Sequence, residues 1–546
     1  MRSPSAHRSN PGHERTRASV QHRRAAAVWT AIVCACAGFS GCSSDDDDSK
    51  TSGVSKPPTS KSDGGSSQGK PDAAKPSPDA SSGEALSTTI ETKAGPIAGE
   101  AVTHEDKQIL VFRGVPYAAP PVGELRWKPP QPLEPWTDVR DATQWGNRSP
   151  QADSTLTSLG AIGEDCLNLN VLTPAKRASE RLPVMVFFHG GGLSIGTGNS
   201  PTYCHTALPA KGVVVITVNS RLGAFGYFSH PALAAESDHD SSGNYGTLDL
   251  IASLQWVQDN IAAFGGDRDN VTIFGESGGG SKVLSCMASP LAKGLFHRAV
   301  IESGSRSAMP NAVTARQTAE EGGQRLAANF GIPEDANVLS ALRAKTWQEI
   351  LAGATAAMVT SNLSIDGWVL PQSVNDVFAA GKQSDVPLIV GANEGEPGEF
   401  AQSIPSLAAS MQSVSSKAYV YNFTQLPLGW RAEGCYAFHG LELPYVFGHM
   451  DGIKSATILF LGMRSCSTGS DPQIGAEDEM IAENTMRIWT QFAKTGNPSV
   501  AGLVDWPAYT QASDQYLEIG PALTVKSGVA ASGQTPATAP PATPAP

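Results

Sequence analysis

Six short, mostly apolar runs recur along the chain: LPVMVFF (182–188), VVVITV (213–218), NVTIF (270–274), RAVIE (298–302), VPLIV (386–390) and AYVYNF (418–423). None shows the strict polar–apolar alternation of a strand with one wet face, so each is predicted to be a strand buried on both sides. Between them the period changes. In LDLIASLQWVQDNIAAF (248–264), Leu248, Ile251, Leu254, Trp256 and Val257 recur at helical spacing. Strands alternating with helices predict an α/β fold with a mainly parallel central sheet and right-handed crossovers. In such sheets ligands collect at the carboxyl ends of the strands.

The two ends of the chain carry no such pattern. Residues 1–24 are rich in Arg and His, 25–39 form a short apolar stretch, and Ser40-Gly41-Cys42 follows, so 1–42 reads as an export signal. Small residues before a cysteine resemble a bacterial lipoprotein cleavage box, which predicts a lipid anchor on Cys42. The expected location is therefore an outer membrane or cell surface, with periplasm or secretion as the unanchored form. Residues 43–86 are Ser, Asp, Lys, Gly and Pro with little to bury and read as a disordered tether, and 527–546, built of Ala, Pro and Thr, as a disordered tail. One globular body is expected at 87–526.

Composition narrows the chemistry. A formal net charge of -12 offers no basic stripe, which argues against a nucleic-acid partner. Of 8 cysteines, Cys34 and Cys36 leave with the signal and Cys42 is the expected anchor. Cys166, Cys204, Cys286, Cys435 and Cys466 remain, an odd set that leaves at least one thiol unpaired within the monomer. Cys435 with Cys466 is the expected pair.

The candidate nucleophile lies in VTIFGESGGGS (271–281), where Gly275, Ser277 and Gly279 form Gly-x-Ser-x-Gly, the nucleophile-elbow pattern. Gly65 to Gly69 and Gly192 to Gly196 match the same pattern. Ser67 falls in the tether, and Ser194 has no helix start behind it. Only Ser277 follows a buried strand and opens a stretch able to form a helix, which is the context the chemistry needs: a serine on a tight turn with helix N–H groups aimed at the forming oxyanion. A hydroxyl is a weak nucleophile and needs a base, oriented in turn by an acid. The chain order Ser, Asp or Glu, His leaves His439 and His449 as bases. Glu394, Glu396 and Glu399, delivered after VPLIVGAN, are the candidate acids.

Longer stretches carry a family resemblance: GVPYAAPPVGELRWKPPQP (114–132), GEDCLNLNV (163–171), VNSRLGAFGYFSHPAL (218–233), the run from Gly243 to Gly280, SPLAKGLFHRAVIESGS (289–305) and HGLELPYVFG (439–448). The body resembles the type-B carboxylesterase/lipase family, which includes the cholinesterases. The resemblance implies an α/β-hydrolase fold, a serine esterase working through an acyl-enzyme, and neither metal nor cofactor. It places the nucleophile on Ser277, the base on His439 and the acid on Glu396, with Glu394 as runner-up because Gly395 and Pro397 depart from the family turn. It places oxyanion donors on Gly191 and Gly192 of HGGG (189–192) and on Gly278. The loop at 150–165 lacks the choline-binding tryptophan of cholinesterases, and Leu193 and Trp368 are candidate pocket walls. The expected partner is a small-molecule or polymeric ester, with membrane contact only through the Cys42 anchor. The competing expectation is a catalytically silent binding or adhesion module on the cell surface.

Overall fold

A computed structural model describes residues 85–152, 159–304, 313–396, 398–454 and 471–529. All of them belong to the compact unit spanning Ala80–Pro546. The export signal, Cys42, nearly all of the expected tether, Cys466 and residues 530–546 lie outside the described residues.

Eleven strands form the central sheet. In chain order they are β1 (Glu100–His104), β2 (Lys107–Pro116), β3 (Asn168–Thr173), β4 (Leu182–Phe188), β5 (Val214–Val218), β6 (Gly266–Glu276), β7 (Arg298–Glu302), β8 (Leu388–Asn393), β9 (Ala418–Phe423), β10 (Gln515–Ile519) and β11 (Leu523–Ser527). Their order across the sheet is β11-β10-β9-β8-β7-β6-β4-β5-β3-β2-β1. The run from β10 to β5 is parallel throughout, and β11 at one edge and β3, β2 and β1 at the other are antiparallel. This is the α/β-hydrolase architecture, and every one of the six apolar runs is a strand of its parallel part.

Period-two alternation sorts those strands onto two faces. Val184, Val186 and Phe188 with Ile216, Val271 and Ile273 pack into one apolar core, together with Leu250, Leu254 and Val257 of α1 (Tyr245–Asn260) and Val283, Leu284 and Met287 of α2 (Gly278–Ala288). Met185, Phe187, Val215, Phe274, Val300 and Ile389 face the other way, against Val446 and Phe447 and against Ile481, Ile488, Trp489 and Phe492 of α3 (Ala476–Thr495). Both faces are therefore dry, which is why these strands read as unbroken apolar runs.

The outermost strands, β1 and β11, were not foreseen, and neither were β2, β3 and β10. The sequences EAVTH and LTVKS mix exposed and half-covered positions and carry no buried run. The body also reaches past its expected limits. Ala85 forms a bridge with Arg177, the Leu86 N–H donates to the Lys176 carbonyl at 2.8 Å, and at the far end Ser527 closes β11 and Val529 is buried. Cys435 is disulfide-bonded, while Cys166, Cys204 and Cys286 are free thiols.

Candidate active site

Parallel pairing brings the carboxyl ends of four neighbouring strands to one edge. Phe188 of β4 lies opposite Gly275 of β6, Glu302 of β7 opposite Glu276, and Gly391 of β8 opposite Glu302. The residues that follow are His189 to Gly192, Ser277, Ser303 and Glu396, so one short stretch of edge collects most of the candidates.

Ser277 sits between β6 and α2 at φ 58°, ψ -121°, a conformation that a residue with a Cβ adopts only when its surroundings impose it. The imposing contacts are visible. Its N–H donates to the Glu302 carbonyl at 2.9 Å, and its carbonyl accepts from the Ser281 N–H at 3.2 Å. A Cβ on Gly279 would stand 1.9 Å from the Phe188 carbonyl oxygen, so the helix can start this close to β4 only with glycine there. A Cβ on Gly278 would stand 2.5 Å from the Gly192 nitrogen, which shows how closely the glycine loop meets the start of α2. Gly191 and Gly192 are both left-handed, at φ 99° and 59°. Among the described residues, no hydrogen bond occupies either of their N–H groups. Ser194 of the second motif match donates to the Gly192 carbonyl at 3.3 Å within this loop.

His439 is buried, with Nδ1 3.1 Å from Oε1 of Glu396 and Nε2 3.0 Å from Oε1 of Glu276. Its backbone is held by the acid turn itself: Asn393 Nδ2 donates to the Phe438 carbonyl at 2.7 Å and the Gly395 N–H to the Ala437 carbonyl at 2.9 Å. Gly395 is needed there, because its Cβ would meet Tyr436 Cβ at 2.7 Å. The departure from the family turn at 395 thus coincides with a close approach of the histidine loop. Glu396 Oε1 also accepts hydrogen bonds from the Ser303 hydroxyl and, at 3.3 Å, from the Asn393 N–H.

The alternatives lie elsewhere. Glu394 is exposed and shares its surroundings with Glu518 and Lys526. Glu399 is in a helix, and its side chain lies outside the described residues. His449 stacks on His205, ring centroids 4.8 Å apart, and pairs with Thr202. Leu193 is buried beside the glycine loop at φ 65°. Trp368 stacks on His239 at 3.8 Å and lines a cavity of about 350 Å³ with Trp127, Leu233 and Asp366, a lining to which Ser277 and His439 do not contribute.

Three further carboxylates surround this centre. Glu276 faces the imidazole, Glu442 accepts from Asn393 and Ser303, and Glu302 accepts from the Trp489 indole at 2.7 Å. Burial pushes the Glu276 carboxyl up to about 7, against the pull of His439, and Glu302 up to about 8. Burial also raises Glu442 well above the carboxylate range. His439 feels burial first, which lowers it, but Glu276 and Glu396 outweigh that and hold it at about 10. Imidazole and carboxyls therefore titrate as a group. None of Glu276, Ser303 and Glu442 stood out in the sequence. Glu276 adjoins the motif serine and Glu442 follows His439 by three, the only local signals available.

A sequence model of the Carboxylesterase family matches residues 86–407 and 399–534. The chain belongs to the carboxylesterase family. Para-nitrobenzyl esterase of Bacillus subtilis (strain 168) is 33% identical over 493 residues, covering 80% of this chain and 96% of the relative. Fumonisin B1 esterase of Sphingopyxis macrogoltabida is 30% identical over 475 residues, with 75% and 83% covered. A solved structure of PNB esterase superposes with a TM-score of 0.69 at 31% identity, over 80% of this chain and 97% of that one. This carboxylesterase is accordingly a carboxylic ester hydrolase rather than a silent binding module.

Proposed function

We propose that this carboxylesterase cleaves esters by two-step acyl transfer on Ser277. His439 takes the hydroxyl proton on Nε2 as Oγ adds to the ester carbonyl. Glu396, at Nδ1, fixes the ring and stabilises its charged form. The N–H groups of Gly191, Gly192 and Gly278 receive the developing oxyanion. The imidazolium returns its proton to the departing alcohol, and water repeats the sequence on the acyl-enzyme. The observation that carries this reading is the buried imidazole set between Glu396 and the elbow. Its Nε2 faces Glu276, the residue immediately before Ser277.

Ser277→Ala is expected to reduce hydrolysis of p-nitrophenyl acetate or butyrate by about 10⁴-fold or more, with an unchanged circular dichroism spectrum and melting midpoint. Retained turnover in the purified variant sinks the reading. Para-nitrobenzyl esters, and aryl esters beside them, are the first substrates to try, given the similarity to para-nitrobenzyl esterase. From the sequence of residues 1–42 we propose separately that the enzyme is an exported lipoprotein anchored at Cys42. Fatty-acid labelling of the full chain should disappear in Cys42→Ala, and equal labelling of both proteins contradicts the anchor.

A further inference from the structure

Lys282, one turn into α2, is buried to 1% exposure, yet no ion pair joins it to a carboxylate among the described residues. An ammonium or amine in so dry a place is costly unless its protons are used. Burial lowers it to about 7. Its Nζ lies 3.0 Å from the His189 carbonyl oxygen and 3.3 Å from His189 Nε2. His189 Nδ1 lies 2.7 Å from the Gly190 carbonyl oxygen. A carbonyl cannot donate, so the proton of that last bond sits on Nδ1. Burial and then the Lys282 charge hold His189 well below its ordinary range, which keeps the ring neutral. The neutral ring leaves Nε2 as an acceptor for Lys282, and both the amine and the ammonium form of Lys282 can donate to it.

The direction of this chain of bonds matters. The Gly190 carbonyl and the Gly191 N–H belong to one planar peptide unit and point in opposite senses. Between two glycines that plane is free to turn over unless something holds it. The His189 bond holds it from the carbonyl side, and the packing shuts out solvent: a Cβ on Gly196 would stand 2.5 Å from His189 Nδ1 and 2.6 Å from the Gly190 oxygen. We propose that Lys282 is a positioning residue for the oxyanion hole, fixing His189 so that the Gly190–Gly191 peptide aims its N–H at the reacting carbonyl. The inference rests on the oxyanion role given to Gly191 above.

The test is Lys282→Met, which keeps the length and removes every donor. Expected on p-nitrophenyl butyrate is a fall in kcat of about 10- to 100-fold with KM within about twofold, since a donor aimed at the oxyanion acts on the transition state and not on bound substrate. The inhibition constant of an aryl trifluoromethyl ketone, which forms a tetrahedral adduct on the serine, should rise by the same factor. His189→Gln should lose a similar factor, and the double variant little more than either single one, because both remove one relay. Unchanged kcat and ketone inhibition in Lys282→Met, or losses that multiply in the double variant, overturn the inference. Should Lys282→Met fail to fold, His189→Gln alone decides, with unchanged ketone inhibition as the overturning result. Stoichiometric fluorophosphonate labelling of Ser277 in the wild type keeps the cases apart: without it the reading beneath fails, and with it only the relay is in question.

Discussion

Glu276 and His439 face each other at 3.0 Å, and that contact carries a consequence for pH. The base works only when its ring is neutral. A carboxylate beside it favours the charged ring and so moves the acid limb of kcat/KM upward. Glu276→Gln keeps the shape and removes the charge, so the limb should move to lower pH by about one unit or more. An unmoved limb, measured between pH 6 and 11, contradicts the placement of Glu276 at Nε2. Residues at this scale were legible in the sequence to different degrees. Ser277 was singled out by what precedes and follows it. His439 was favoured over His449 by its place in a loop after AYVYNF with Gly440 behind it and by the family resemblance, while the bonds that hold it, from Asn393 and Gly395 to 437–438, join segments distant in the chain. Glu396 likewise needed the resemblance. Ser303, Glu442 and Lys282 act through strand register and helix facing, which no local pattern reports.

Elements translate that chemistry into backbone constraints. The elbow is a junction of β4, β6 and α2 in which Gly279 lies against the Phe188 carbonyl, and an added Cβ would stand 1.9 Å from that oxygen. Backbone cannot yield as a flexible side chain can. Gly279→Ala should therefore cost about 3 kcal/mol or more and abolish turnover. A urea midpoint like that of the wild type in this variant is incompatible with the close approach. Strands of the parallel core were readable because both faces of each are buried: LPVMVFF and AYVYNF match β4 and β9 to the residue. The outermost strands β1 and β11 escaped because no position of either is buried, and EAVTH pairs with β2 by register rather than by hydrophobic content.

At the scale of the whole molecule, the edge that assembles the site also confines several carboxyls in a dry interior. Glu302, with an ordinary value of 4.5, is raised to about 8 by burial, so the folded protein holds a proton that the unfolded chain releases. Its contribution to stability is complete below pH 4.5 and is lost as pH rises toward 8. Glu302→Gln, which still accepts the Trp489 bond, should lose less in melting midpoint between pH 5 and 8 than the wild type. Parallel midpoints across that range contradict the buried, protonated carboxyl. The central claim is that the strand ends converge to make one serine reactive. Mass mapping of the fluorophosphonate-inactivated enzyme tests it most directly. One equivalent of adduct on the peptide containing Ser277, formed in step with loss of activity, is the predicted result; full inactivation with the adduct on another residue, or with none, contradicts it.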